Sequence, residues 1–413
     1  MQVKKTIFSI TTISTLLMSV NAIAENDMSY FGYIRGGVGM SLNNGQDVQY
    51  NKNQLGRLGN ENDTYGEWGI KHEAYNENGV SFDVESMIAA YSDGSTGWET
   101  TEDDDLKVVL PQINVQATGL LSSAPEATMW AGKRYYQRHN VDLADFYYWN
   151  ISGSGAGIEN IDFDNGKLSV AWIRTDSDEV LDTGNNSNDL NVNSFDVRFS
   201  DIELWNHASL EIGGNYAFTN ESSEYEQDIK NGALINIELT QNIGSGVNKT
   251  VFQYGTEGYG KTIAEYGDGS WYGAGAKEGA NAYRIINWGV VEVGSNWEVG
   301  HQLVWSSSVD DISDDQTEDI TYLSTVIRPV YKWNENLKTL VEMGYFEKTG
   351  ISGEKDSGSK LTIAQAWTAG LSYWARPEIR FYGSYFTDNE NKNAFGNGKD
   401  TEINLGVQAE VWW

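Results

Sequence analysis

Polar and apolar residues alternate along most of this chain with a period of two, as in strands that have one wet and one oily face. In the last dozen residues, Ile403, Leu405, Val407, Ala409, Val411 and Trp413 fall on one side, and Glu402, Asn404, Gly406, Gln408, Glu410 and Trp412 on the other. A strand of this kind, running to the carboxyl terminus on an aromatic, is how a transmembrane β-barrel ends. Trp412 is the exception on its face, where every other residue is polar or glycine. An indole there is either part of an interfacial girdle or a surface offered to the lumen.

The same alternation recurs at 30–40, 65–75, 80–91, 167–175, 210–218, 234–240, 249–255, 281–293, 297–306, 323–333, 337–346, 362–374 and 378–386. Clusters of Gly, Asn, Asp and Ser separate these segments, no linker divides them, and no helical period is sustained. The pattern predicts one continuous all-β domain. A β-sandwich or a β-propeller that binds carbohydrate gives similar strands, but the one-faced terminal strand and the lack of a fixed blade repeat favour an antiparallel transmembrane β-barrel.

The amino end bears on compartment. Lys4 and Lys5, a short apolar run over 6–20 broken by Ser and Thr, and Ala22-Ile23-Ala24 read as a cleaved signal peptide over 1–24, leaving 25–413 as a single barrel domain. No later stretch reaches the roughly 20 apolar residues of a spanning helix. The chain is therefore expected in the outer membrane of a Gram-negative bacterium, with a soluble periplasmic glucan-binding protein as the alternative. Four prolines suit long hydrogen-bonded ladders, and 15 Trp, 23 Tyr and 13 Phe suit aromatic girdles. With no cysteine, disulfides contribute nothing to stability. A net charge of −31 argues against nucleic acid as a partner and points to acidic loops such as 101–105 and 310–315.

One interval breaks the rhythm. From Trp130 to Trp149 the chain mixes three cations and two carboxylates with a crowd of aromatics, too polar for a lipid face and too aromatic for a solvated loop. Such a segment suits a loop folded into a lumen, where Arg forks and carboxylates bond sugar hydroxyls and rings stack on pyranose faces, or a plug held by structural ion pairs.

That interval, continued to Asp162, closely resembles the maltoporin family of outer-membrane maltodextrin channels. So do Phe31-Gly32-Tyr33-Ile34-Arg35, Gly56-Arg57-Leu58-Gly59-Asn60-Glu61, Ile327-Arg328-Pro329-Val330-Tyr331-Lys332-Trp333, Trp374-Ala375-Arg376-Pro377 and the final Trp412-Trp413. The resemblance covers essentially the whole chain after the leader, in order. It implies an 18-stranded barrel, a homotrimer in outer-membrane lipid and lipopolysaccharide, and a third loop folded inward as a constriction.

For the sugar path, the resemblance implies an aromatic slide of Tyr33, Tyr65, Trp374 and Trp412, with Trp98 reaching in from a neighbouring subunit. Polar tracks follow at Arg35, Arg57, Glu67, Arg138 and Asp145, with Tyr147 narrowing the pore. Asp142 stands on the track where the family has histidine, Asn140 where it has aspartate, and Val247 where the slide has phenylalanine. Sucrose-specific relatives lack both the constriction arginine and tyrosine, whereas Arg138 and Tyr147 are present here. The implied substrates are maltose and maltodextrins, with a general, sucrose or β-glucoside porin as the alternative. The acidic outer loops are a candidate docking place for phage or colicin.

Catalysis is not expected. Carboxylate pairs such as Asp142 with Asp145 or Glu61 with Asp63 occur by chance in a chain with 59 acidic residues, and no nucleophile motif accompanies them. His72, His139, His207 and His301 have no ligand spacing, so neither metal nor cofactor is expected.

Overall fold

The computed structural model describes residues 28–43, 45–94, 97–101, 105–175, 190–221, 230–267, 269, 276–309, 311–312, 316–351 and 354–413. The segment read as a signal peptide lies outside them. The described residues form the strands β1 (Met28–Ser41), β2 (Thr64–Glu77), β3 (Val80–Ser92), β4 (Leu106–Thr118), β5 (Thr128–Arg134), β6 (His139–Val141), β7 (Phe146–Trp149), β8 (Gly153–Phe163), β9 (Gly166–Thr175) and β10 (Leu190–Trp205). They continue with β11 (Ala208–Glu221), β12 (Gly232–Ile243), β13 (Gly246–Thr256), β14 (Asn281–Val293), β15 (Trp297–Ser308), β16 (Gln316–Asn334), β17 (Leu337–Ile351), β18 (Glu354–Thr368), β19 (Glu378–Asp388) and β20 (Thr401–Trp412). The helices are short: α1 (Lys52–Leu55) and α2 (Gly258–Ala264).

All but β6 and β7 belong to one sheet of 18 strands, each paired antiparallel with its sequence neighbour. The sheet closes where β1 meets β20, with Tyr33 opposite Trp412, Val38 opposite Val407 and Ser41 opposite Asn404. Closure supplies ladder groups with partners in a solvent that offers none, although Leu106–Gln112 of β4 pair with β3 and not with β5. Most turns at the end that carries both termini are short, the connections over 119–127 and 369–377 being the longer ones. Asn78-Gly79 joins β2 to β3 with φ of 55° and 81°, a two-residue connection whose positive φ values match the twist of the flanking strands.

The barrel is polar inside and apolar outside. On β20, Glu402, Asn404, Gln408 and Glu410 are buried while Ile403 and Val407 are exposed. Its neighbours repeat the arrangement, with Ile363, Ile379 and Phe381 outward and Thr362, Arg380 and Ser384 inward. An apolar band of this extent has no place in water and fits hydrocarbon.

Among the described residues three connections fold into the lumen; the one between β13 and β14 carries α2 and sets the Tyr266 ring 4.4 Å from that of Phe146, its hydroxyl donating to Asn53 O at 3.1 Å. Residues 42–63, between β1 and β2, lay Leu55 and Leu58 against the wall; Lys360 Nζ donates to Gly56 O at 2.6 Å and Leu58 O at 3.0 Å, and Ser384 donates to Gly59 O at 2.8 Å. Gly56 is required, because φ is 90° and a Cβ would lie 2.5 Å from Glu342 Oε1. Residues 135–152, between β5 and β8, carry β6 and β7 as a small hairpin closed by a 3-10 turn at Asp142–Ala144. Val141, Leu143, Phe146, Tyr148 and Trp149 pack with Ile286, Trp288, Val290, Val304 and Val330, so the apolar core lies between this loop and one side of the wall.

Fourteen strands coincide with the alternating segments; of the others, β5 and β8 carry no clean alternation, and β4 and β10 alternate only in part, over 112–118 and 194–200. The interval 130–162, expected as a loop, contains the end of β5, the inward hairpin and most of β8. The segment 362–374 overshoots, since β18 ends at Thr368 and Trp374 lies on the turn that follows.

Candidate functional site

The inward loops face an arc of wall built by β1, β2 and β20, and between them is a cavity of about 550 Å³. Ten of the twelve side chains singled out in the sequence line it: Tyr33, Arg35, Arg57, Tyr65, Glu67, Arg138, Asp142, Asp145, Tyr147 and Trp412. Trp98 is 86% exposed on the connection from β3 to β4, and Trp374 stands 4.9 Å from Tyr373 on the turn after β18; neither lines the cavity.

The aromatic row follows from strand register. Tyr33 is the Cα partner of both Trp412 and Glu67, and Arg35 is the partner of Tyr65, which sets an oblique line of rings across three strands. The Tyr33 and Tyr65 centroids are 6.0 Å apart. The Tyr33 hydroxyl donates to Glu410 Oε1 at 2.8 Å and accepts from Arg57 at 2.7 Å, which holds the ring in place. Arg376 lies 4.4 Å from the Trp412 ring centroid and donates to Glu410 at 2.9 Å, so a guanidinium supports the indole from one side.

Beside this row, charges are paired in a chain. Arg35 reaches Asp63 at 3.0 Å, Glu61 at 3.2 Å and Asp145 at 3.7 Å; Arg57 reaches Glu61 and Glu410, each at 3.0 Å. Lys52 reaches Asp145 at 2.7 Å. Burial by itself would raise the Glu61 carboxyl, but Arg57, Arg35 and Lys52 override it and hold it at about 2. The Asp142 carboxyl is pushed up by burial, with Arg57 and Arg328 opposing. Arg138 stacks 3.4 Å from the Tyr135 centroid and 4.8 Å from that of Tyr147. Glu67 accepts from Tyr65 at 2.6 Å and Tyr135 at 3.1 Å. Partnered carboxylates and forked donors around a row of ring faces can exchange hydrogen bonds with hydroxyls while stacking a flat apolar ligand.

Lining residues that the sequence did not single out as site residues are Gln49, Lys52, Asp63 and Tyr91. Asp63 was visible only as half of an acidic pair, and nothing local marks Lys52, whose shorter contact is with Asp145, 93 residues away, and whose longer one, at 3.4 Å, is with Glu61. Asn140 also lines the cavity. Val247 falls on the inner face of β13 with Lys249, opposite Val290. The nearby Trp288 is 7% exposed and donates to the Tyr148 hydroxyl at 3.4 Å, so it serves the core behind the loop. Among the described residues, His139, Glu211 and Glu238 bring potential ligand atoms within 4.8 Å of one another. Both Glu238 oxygens already have partners in Lys249, Tyr148 and His139.

An apolar exterior, a closed antiparallel sheet and a charged, aromatic-lined cavity inside it define an outer-membrane β-barrel channel. A family profile described as LamB porin matches residues 28–413, and the chain belongs to that family. It is 46% identical to the maltoporin of Photobacterium profundum, with 97% of each chain covered. It is 43% identical to a maltoporin of Vibrio cholerae, covering 94% of this chain and 95% of that one. Among solved structures, Acinetobacter baumannii OccAB2 superposes with a TM-score of 0.50 at 10% identity, covering 94% of this chain and 98% of that one. The Pseudomonas aeruginosa outer-membrane protein OpdK gives a TM-score of 0.50 at 12% identity, covering 94% and 99%. These two likenesses concern the fold alone.

Proposed function

We propose that this channel carries maltose and maltodextrins across the outer membrane by passive diffusion, without catalysis. The observation that carries the reading is the oblique row Tyr65, Tyr33 and Trp412, flanked directly by Arg35 and Arg57 and lining one cavity with Asp145 and Arg138 of the inward hairpin. An α-1,4-glucan has a curved apolar stripe with hydroxyls at its edges, and this arrangement lets it slide while hydrogen bonds are handed from ring to ring. Each aromatic contact contributes on the order of 1 kcal/mol, which slows a sugar without trapping it. Trp374 extends the row at the end carrying the termini, and Trp98 adds a ring from a neighbouring copy in a trimer. Asp142, Asn140 and Val247 tune which chain lengths bind. A leader over 1–24 directs export.

The test is ion current through the reconstituted protein during titration with maltohexaose. Reversible, concentration-dependent interruption is expected; a maltodextrin that never interrupts the current rules out the specific channel and leaves a general porin.

A further inference from the structure

The inward hairpin turns successive side chains to opposite sides, so Arg138 and Tyr147 face the passage while His139 and Tyr148 face the wall. His139 Nδ1 lies 2.8 Å from Glu238 Oε2, and Nε2 lies 3.4 Å from Glu211 Oε1. The two glutamates are directly paired on β11 and β12. A neutral imidazole has one N–H and can serve only one of them, whereas the imidazolium donates from both nitrogens.

The surroundings leave room for that proton. Glu211, Glu238 and, on β10, Asp196 face this pocket from the wall. Lys249 stands 2.6 Å from Glu238 Oε1, and Arg198 stands 2.8 Å from Asp196 and 3.9 Å from Glu211. Tyr148 donates to Glu238 at 2.7 Å, and Arg138 is turned away onto Tyr135 and Tyr147. Three carboxylates thus meet two permanent cations, and a protonated His139 closes the balance. Burial disfavours charge on the ring, but Glu238 and Glu211 outweigh it and raise the imidazole above its ordinary range. The ring is packed 5.3 Å from Trp149 and 5.9 Å from Tyr148, so it moves only with the hairpin.

We propose that His139 is a positioning residue of the constriction: as an imidazolium clamped between Glu211 and Glu238, it sets how far Arg138 and Tyr147 project into the passage. The inference rests on the channel reading above but not on the identity of the sugar. Because the folded ring titrates above a free imidazole, the clamp is complete below the ordinary imidazole range and is lost as pH rises through the raised value. Loss of the proton opens one arm and leaves uncompensated negative charge behind the loop.

The test is single-channel conductance in potassium chloride, without sugar, between about pH 6 and about pH 10. The natural sequence is expected to hold a steady, low conductance that becomes larger and noisier above the ring's titration. His139→Gln is expected to show the larger, noisier conductance at every pH. A His139→Gln channel that keeps the natural conductance and its pH step overturns the proposal. Should that variant fail to insert, Glu211→Gln decides, since losing one carboxylate moves the step down by about one pH unit; an unmoved step overturns it equally. Sugar is absent from these measurements, so their failure leaves the maltodextrin reading standing, and a missing maltohexaose block leaves the clamp standing.

Discussion

The two faces of the inward hairpin share one backbone and differ in nearly everything else. On the lumen face, Arg138, Tyr147 and Asp145 border open space and touch few groups. On the wall face, Tyr148 and Trp149 are fully buried, and Trp149 donates to Asn215 at 2.7 Å beneath the Arg198 guanidinium at 3.7 Å. Alternation turns Tyr147 and Tyr148 to opposite sides, so adjacent tyrosines hold opposite roles, and Trp149 joins Tyr148 on the wall side where the hairpin slips register between His139 and Asn140. Binding needs weak, renewable contacts, and anchoring needs satisfied, water-free ones.

The sharpest way to break the comparison is Trp149→Ala. Loss of a fully buried indole is expected to cost about 3–5 kcal/mol, read as a lower urea midpoint for unfolding from lipid vesicles. A midpoint unchanged from the natural sequence would show that the wall face is not the anchor.

Next comes the lumen face. Trp412→Ala is expected to weaken maltohexaose block roughly tenfold while leaving the unfolding midpoint in place. Equal block would remove Trp412 from the sugar path. Tyr147→Ala is expected to raise conductance, because the ring lines the cavity from the inward hairpin and carries no buried hydrogen bond whose loss would unfold the loop. Unchanged conductance argues against its place at the constriction.

The smallest effect concerns acid. Glu61, in the loop from β1 to β2, titrates at about 2, below an ordinary carboxylate. A depressed carboxyl contributes stability that is present above the ordinary carboxylate range and lost as pH falls toward 2. The loss in unfolding free energy between about pH 5 and about pH 2 should therefore shrink in Glu61→Gln. Equal losses in both proteins would mean that Glu61 is not what ties this loop to acid stability.

Fourteen of the barrel strands were legible because a period of two is a local property, readable wherever one face meets lipid and the other water. The missed strands show where that signal fails. β4 runs Val108-Val109-Leu110-Pro111 without alternation and slips register against β3 between Met87 and Ala89. β10 alternates over 194–200 only, before the first of two register shifts against β11 swaps the faces of the residues beyond it. β8 opens on Gly153-Ser154-Gly155-Ala156-Gly157, side chains too small to declare a side.

At the end of the chain, the alternation alone separated Trp412 from Trp413, and the family likeness alone suggested a sugar-facing role for the first. Only the closed barrel brought Tyr33 opposite Trp412 and Arg376 beneath it. The same holds for Lys52 beside Asp145, Asp63 beside Arg35, and His139 between Glu211 and Glu238. Strand identity and facing depend on side chains two residues apart, so one sequence determines them. Pairing of charges depends on which strands and loops meet across the lumen, and separations of tens to hundreds of residues leave no periodic trace.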